Sequence, residues 1–160
     1  MGFSAPSLKG RALRLLSQRE HSRPELERKL KKYEEVPGTL AAALDELAAK
    51  DFINEARVVQ SVVNLRSPRM GAARVRQELQ QKGIAPDAIA EAVADLRDTE
   101  LARAREVWGR RFDAPPTDSK ERGRQMRFLM ARGFAGSTIA KVFRFDAEAD
   151  ADDDSVNHNL

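Results

Sequence analysis

The 160 residues contain no cysteine and only two histidines, His21 and His158, near opposite ends of the chain. Disulfides, thiolate metal sites and imidazole clusters are thereby excluded. No apolar run approaches the roughly 20 residues needed to cross a bilayer, and the N-terminus lacks the basic and apolar stretches of a signal peptide. A cytoplasmic protein without a membrane partner is expected. The formal charge of +3 hides a division: residues 146–160 carry six carboxylates and no Lys or Arg, leaving 28 basic against 19 acidic residues, or +9, over 1–145. So basic a body points to a polyanionic partner; a plain helical protein with arginine-rich faces is the bland alternative.

Strong helix formers dominate the composition, and the predicted elements are all helices. Leu8, Ala12, Leu15 and Leu16 make a first apolar stripe. Ser22-Arg23-Pro24-Glu25 reads as a capping box opening a second helix that carries Leu26 and Leu30 and ends near Tyr33. Pro37-Gly38 opens a third, with Leu40, Leu44 and Leu47. Further helices are predicted over 54–66, 71–83, 86–97, 98–112, 119–132 and 136–145, nine in all, with no strand-like alternation between them.

The pattern repeats. Leu79-Gln80-Gln81-Lys82-Gly83-Ile84-Ala85 matches Leu129-Met130-Ala131-Arg132-Gly133-Phe134-Ala135 at an offset of 50. An offset of 49 carries Leu30, Pro37, Leu40, Leu44 and Leu47 onto Leu79, Pro86, Ile89, Val93 and Leu96. Gly83 and Gly133 sit where a left-handed residue ends a helix, with Ile84 and Phe134 placed to pack back on it. The first copy has Tyr33-Glu34-Glu35-Val36 at that turn, so a longer, looser connection is expected. The predicted fold is all-α: an elongated, curved array of three tandem three-helix repeats sharing cores. They span 8–50, 51–97 and 98–145, preceded by an N-terminal arm over 1–7 and followed by an acidic, disordered tail over 146–160.

Catalytic signatures are absent. The glycines are isolated at helix ends, no phosphate-binding glycine loop is present, and the Asp-rich tail lacks the glycine and distal glutamate of a calcium loop. His21, beside the cap, reads as turn-stabilising or exposed. No enzyme, metal site or cofactor is expected.

Positive charge concentrates in two segments: Arg66, Arg69, Arg74, Arg76 and Lys82, then Arg110, Arg111, Lys120, Arg122, Arg124, Arg127 and Arg132. Lys120, Arg124 and Arg127 share one helix side, with Met126, Leu129 and Met130 on the packing side. Such faces suit phosphates or an acidic protein groove; simple solvation is the competing reading. Arg66 falls on the apolar arc of Val59, Val62 and Val63, so a structural ion pair with a buried acid is expected. Trp108, in line with Leu101, Ala104 and Phe112, reads as core.

With the repeats established, the chain resembles the RecX family of bacterial regulators of the recombinase RecA. The resemblance rests on Ala12-Leu13-Arg14-Leu15-Leu16, His21-Ser22-Arg23-Pro24-Glu25-Leu26, Asp51-Phe52-Ile53-Asn54-Glu55-Ala56-Arg57, Arg66, Gly71 and Arg74 through Ile84. It covers about 8–145 and is strongest over 51–84. It implies three tandem three-helix repeats, a role in recombination and DNA repair, and binding in the groove of the recombinase–DNA filament that restrains filament growth, ATP hydrolysis and strand exchange, without a cofactor. The implied partners are the RecA-type filament and single-stranded DNA, with double-stranded DNA a further candidate, bound by a monomer. An autonomous helical DNA-binding module is the alternative from another class.

Overall fold

The computed structural model describes residues 4–144. The expected acidic tail lies outside them, as does the start of the N-terminal arm. All regular structure among the described residues is helical. Helix α1 spans Leu8–Gln18, α2 Arg23–Leu30 with a 3₁₀ turn over Lys31–Tyr33, α3 Thr39–Ala49, α4 Glu55–Arg66 and α5 Ala72–Gln81. Helix α6 runs over Pro86–Arg111, α7 over Ser119–Ala131, and α8 includes 136–144.

Local chemistry sets the boundaries. Ser7 caps α1 by accepting from the Gly10 N–H, and Asp118 caps α7 through the Glu121 N–H. The capping box of α2 is complete: the Ser22 hydroxyl accepts from the Glu25 N–H while the Glu25 carboxylate accepts from the Ser22 N–H. Helices α5 and α7 end as the sequence predicts. Gly83 and Gly133 take φ of 71° and 86°, and the N–H groups of Ile84 and Phe134 return to the carbonyls of Leu79 and Leu129. Both apolar residues are buried. The first copy does have the looser connection: a 3₁₀ turn, an extended stretch, then Gly38 at φ 90°.

One boundary differs. The two helices predicted over 86–97 and 98–112 are a single 26-residue helix, α6. The expected break at Arg97-Asp98-Thr99 contains neither Gly nor Pro, so nothing interrupts the backbone ladder when the packing partner changes. The described residues therefore form eight helices in place of nine.

The described residues divide into two compact units, one within Met1–Val62 and Glu78–Ile89, the other within Val63–Gln77 and Ala90–Leu160. Helices α4, α5 and α6 contribute to both. In the first unit Ala12, Leu26, Leu30, Leu40, Leu44 and Leu47 form a core flanked by Leu8, Leu15, Leu16 and Ile53. In the second, Ala104, Val107, Trp108, Phe112, Leu129, Phe134, Ile139, Val142 and Phe143 do so. Trp108 is core, as its stripe predicts, and its indole N–H donates to the buried Gln125 at 2.8 Å.

Each unit contains the same helix-to-turn joint. In the first, the Ser22 hydroxyl donates to the carbonyl of Lys82, the residue before Gly83, and Pro24 packs over Gly83. In the second, the Gly71 N–H donates to the carbonyl of Arg132, the residue before Gly133, at 2.7 Å. Ser22 and Gly71 are 49 residues apart and Lys82 and Arg132 are 50 apart, so the joint repeats with the sequence. Each joint sets the start of one repeat's second helix against the turn of the next. A Cβ at Gly71 would lie 2.3 Å from the Gly133 carbonyl oxygen, a backbone atom that cannot swing aside. Gly71→Ala is expected to destabilise the fold by about 1–3 kcal/mol, read as a lower urea midpoint.

Glu25 adds charge to the first joint. Its side chain is almost wholly buried and meets Arg19 at 2.7 Å and Lys82 at 3.3 Å. Burial favours the neutral acid, but the Arg19 and Ser22 hydrogen bonds and the Lys82 charge outweigh it and hold the carboxyl at about 2. The folded value is below the unfolded one. The stability Glu25 contributes is therefore complete above pH ~4.5 and is lost as pH falls toward 2. Glu25→Gln should cost about 2–3 kcal/mol at pH 7, and chemical denaturation between pH 2 and 7 should show a flatter acid limb than the parent.

Candidate nucleic-acid interface

The basic residues of the two charged segments take up different duties. Four converge in the second unit. Arg69 after α4, Arg110 and Arg111 at the end of α6, and Arg132 after α7 line a groove of about 410 Å³ with Val107 and Phe128, and among the described residues no carboxylate lines it. The Arg132 guanidinium lies over the Phe128 ring at 3.7 Å from its centroid, and Arg111 approaches the same ring at 6.0 Å. Phe128 in turn meets Phe112 edge-to-face. The floor is thus aromatic and the walls are cationic, a combination that serves phosphates and unstacked bases together. Of the four, Arg110 has a carboxylate nearby, Glu106 at 3.5 Å on the exposed surface, a pairing weak enough to yield to phosphate.

The joint explains why Arg132 is available and Lys82 is not. Both follow the same helix end, but the residue facing Lys82 is Glu25, whereas its equivalent 49 residues on is Arg74. With no acid at that position, Arg132 turns to Phe128. Lys82 instead joins Arg19 in an ion-pair cluster around Glu25, its side chain 16% exposed. Arg74 lays its aliphatic stem against Gly133 and donates to Gln77; its head and Arg76 are exposed.

Lys120, Arg124 and Arg127 do share an exposed side of α7. Arg124 is paired there with Glu121 at 3.1 Å and stands over Phe112 at 5.3 Å. The Glu121 carboxyl is held below its usual range, first by the Gln125 hydrogen bond and then by Arg124. On the opposite side Leu129 and Met126 pack as expected and Met130 does not. Met130 is 53% exposed, and the packing arc runs through buried Gln125 and Leu129 with half-buried Met126 and Phe128. Gln125 holds this arc by bonding Trp108, the Ala114 carbonyl and Glu121.

Arg66 is exposed at the end of α4, so its side chain is not in the core setting that the apolar arc of Val59, Val62 and Val63 suggests. A structural arginine of this region that sequence reasoning missed is Arg103. From α6 its guanidinium donates to the carbonyls of Ser67, Met70 and Leu96 at 3.0, 2.6 and 2.9 Å. It neutralises the exposed carbonyl end of α4 and holds the loop that carries Arg69. Nearby, buried Glu100 accepts from the Ala72 N–H at the start of α5. Arg103→Met should cost about 2–3 kcal/mol by stranding the carbonyls of Ser67 and Met70; a thermal melt against the parent checks it.

Of the two readings of His21, turn-stabilising or exposed, the structure has the first: it is 1% exposed and bonds back across the turn to Arg19. Its Nδ1–H donates to the Arg19 carbonyl at 3.0 Å, leaving Nε2 to accept from the Lys29 ammonium at 3.3 Å. Burial, then the Arg19 and Lys29 charges, lower its pKa and keep the ring neutral. Among the described residues no group of His, Asp and Glu forms a metal cluster, and no helix is long and apolar enough to cross a membrane.

Comparison with known proteins matches this architecture throughout. The family models for the first, second and third three-helix domains of RecX match residues 9–47, 54–93 and 98–143. The chain is 52% identical over 147 residues to the regulatory protein RecX of Leptothrix cholodnii, covering 91% of this chain and 94% of that one. It is 47% identical over 142 residues to that of Herminiimonas arsenicoxydans, covering 89% and 94%. A crystal structure of regulatory protein RecX superposes with a TM-score of 0.71 at 21% identity over 84% of this chain and 70% of the other. That of RecX from Lactobacillus salivarius gives 0.66 at 20% identity over 86% and 92%. Built of three three-helix domains in tandem, the chain belongs to the RecX family.

Proposed function

We propose that this protein regulates a RecA-type recombinase in the cytoplasm by binding its DNA filament, and that it restrains filament growth, ATP hydrolysis and strand exchange without chemistry of its own. The observation that carries this reading is the arginine–phenylalanine groove of Arg69, Arg110, Arg111, Arg132 and Phe128, together with membership of a family whose relatives bear the name of regulatory proteins. A filament presents phosphates and protein side by side. A groove with cationic walls and an aromatic floor suits the first, and the exposed row of Lys120, Arg124 and Arg127 adds positive charge on α7.

Titration into a recombinase ATPase assay with single-stranded DNA tests the proposal. Wild-type protein should inhibit at sub-stoichiometric to stoichiometric ratios, and unaltered hydrolysis would overturn the reading. Arg110→Gln/Arg111→Gln, both exposed, should keep the melting temperature and lower inhibitory potency about tenfold. Its log–log salt dependence on single-stranded DNA should become shallower by about 1.4, or about 0.7 for each phosphate no longer neutralised. Selective duplex binding with no effect on the recombinase would favour the autonomous DNA-binding module instead.

A further inference from the structure

The first compact unit holds a second basic depression, distinct from the arginine–phenylalanine groove. It measures about 430 Å³ and lies between α1 and the α2–3₁₀ segment, lined by Arg11, Arg14, Arg28, Lys29, Lys32 and Tyr33 with a few apolar and neutral neighbours. Five cations face it, and among the described residues no carboxylate lines it. Tyr33, the one tyrosine in the chain, is 40% exposed there.

Part of this depression is pre-ordered. The Arg11 guanidinium stacks on Tyr33 at 3.8 Å from the ring centroid, making a planar layer of cation and ring. Arg28 is fixed by donation to the Gln81 carbonyl at 2.7 Å, and Lys29 by donation to the buried His21. Arg14 and Lys32 stand exposed at the rim. Cations already held by a ring, a carbonyl or an imidazole lower the ordering cost of taking up a polyanion.

The repeat points the same way independently. A spacing of 99 residues separates Leu30 from Leu129, both buried, and the same spacing takes Lys29 to Phe128 and Tyr33 to Arg132. The depression therefore occupies, in the first repeat, the place that the arginine–phenylalanine groove occupies in the third. The same spacing takes Arg11, which stacks on Tyr33, to Arg110, which lines the groove. Each place thus holds a ring with an arginine over it, Arg11 on Tyr33 in one and Arg132 on Phe128 in the other.

From this geometry we infer that the Arg11–Tyr33 depression is a separate site for single-stranded nucleic acid, taking one base on the guanidinium–tyrosine layer and the flanking phosphates on Arg14 and Lys32. The volume falls within the roughly 300–1,000 Å³ of small-molecule pockets, enough for about one nucleotide. A planar layer favours a base over the side chains of an acidic peptide, and only an unpaired strand can turn a base out to reach it. The protein alone forms this site, so binding there needs no recombinase.

The test uses the full chain without recombinase and an oligothymidylate carrying fluorescein and 5-iododeoxyuridine. Ultraviolet crosslinking followed by peptide mapping should place a crosslink on Tyr33. In anisotropy titrations Arg14→Gln/Lys32→Gln should weaken binding about three- to tenfold and lower the log–log salt slope by about 1.4. Tyr33→Leu should weaken it about fivefold or more and remove that crosslink. Crosslinks confined to the Arg110–Arg132 groove would overturn the inference, as would unchanged affinity in both variants. Polyglutamate of equal charge displacing the crosslink from Tyr33 as effectively as unlabelled oligothymidylate would also overturn it, by showing a surface that reads charge alone. Should Tyr33→Leu not fold, the crosslink map on the unaltered protein decides.

Discussion

The hydrogen bond from the start of one helix to the last carbonyl before a left-handed glycine is the constraint on which the rest of this structure depends. It occurs twice, from Ser22 to Lys82 and from Gly71 to Arg132. A helix end leaves carbonyls without partners, and a glycine at positive φ turns the chain so sharply that one of them faces outward. The next repeat's turn then offers an acceptor where the preceding repeat's helix offers a donor. Because the left-handed residue is a glycine, Pro24 in one joint and Arg74 in the other can pack directly on its Cα. A three-helix repeat of this size buries little surface by itself, so such joints are how a short array gains order beyond its separate cores.

The two joints share the acceptor carbonyl before the glycine, while the donor, a serine hydroxyl in one and a backbone N–H in the other, and the surrounding side chains differ. At the first joint the acid Glu25 gathers Arg19 and Lys82 into a buried cluster. At the second the equivalent place holds Arg74, and the neighbouring cation Arg132 stacks on Phe128 instead. A change of sign at one position, with a ring at Phe128 where the preceding copy has Glu78, separates the structural ion cluster from the cationic groove. The same economy marks Arg103, which carries the loop of Arg69 by capping carbonyls and so orders a groove that it does not line.

A basic body with few aromatics has to place its rings with care. Three of those in the second unit form a connected set, Trp108 beside Phe112 and Phe112 beside Phe128, with arginines over Phe112 and Phe128. Rigid rings hold long cationic side chains at defined positions at small entropic cost, and the cations remain accessible to a ligand.

Much of the fold was legible along the chain because it is local. The capping box at Ser22 and Glu25, the glycine turns at 83 and 133, and the apolar stripe through Trp108 each depend on residues within one or two helical turns. The looser first turn was legible from a missing glycine. The uninterrupted α6 was not, since a repeat boundary read from periodicity carries no information about whether the backbone breaks there. The buried place of His21, the exposure of Arg66 and Met130, and the structural duty of Arg103 were decided by what packs against them from distant segments. The grooves were decided in the same way: Arg69 and Arg132 are far apart in sequence, as are Arg14 and Tyr33, and each pair shares a site only after folding. Charge patterning shows how many cations a chain carries and on which helix side they fall. Which of them meet a carboxylate and which meet a ring is settled by tertiary packing, because burial and pairing depend on neighbours that sequence spacing does not reveal.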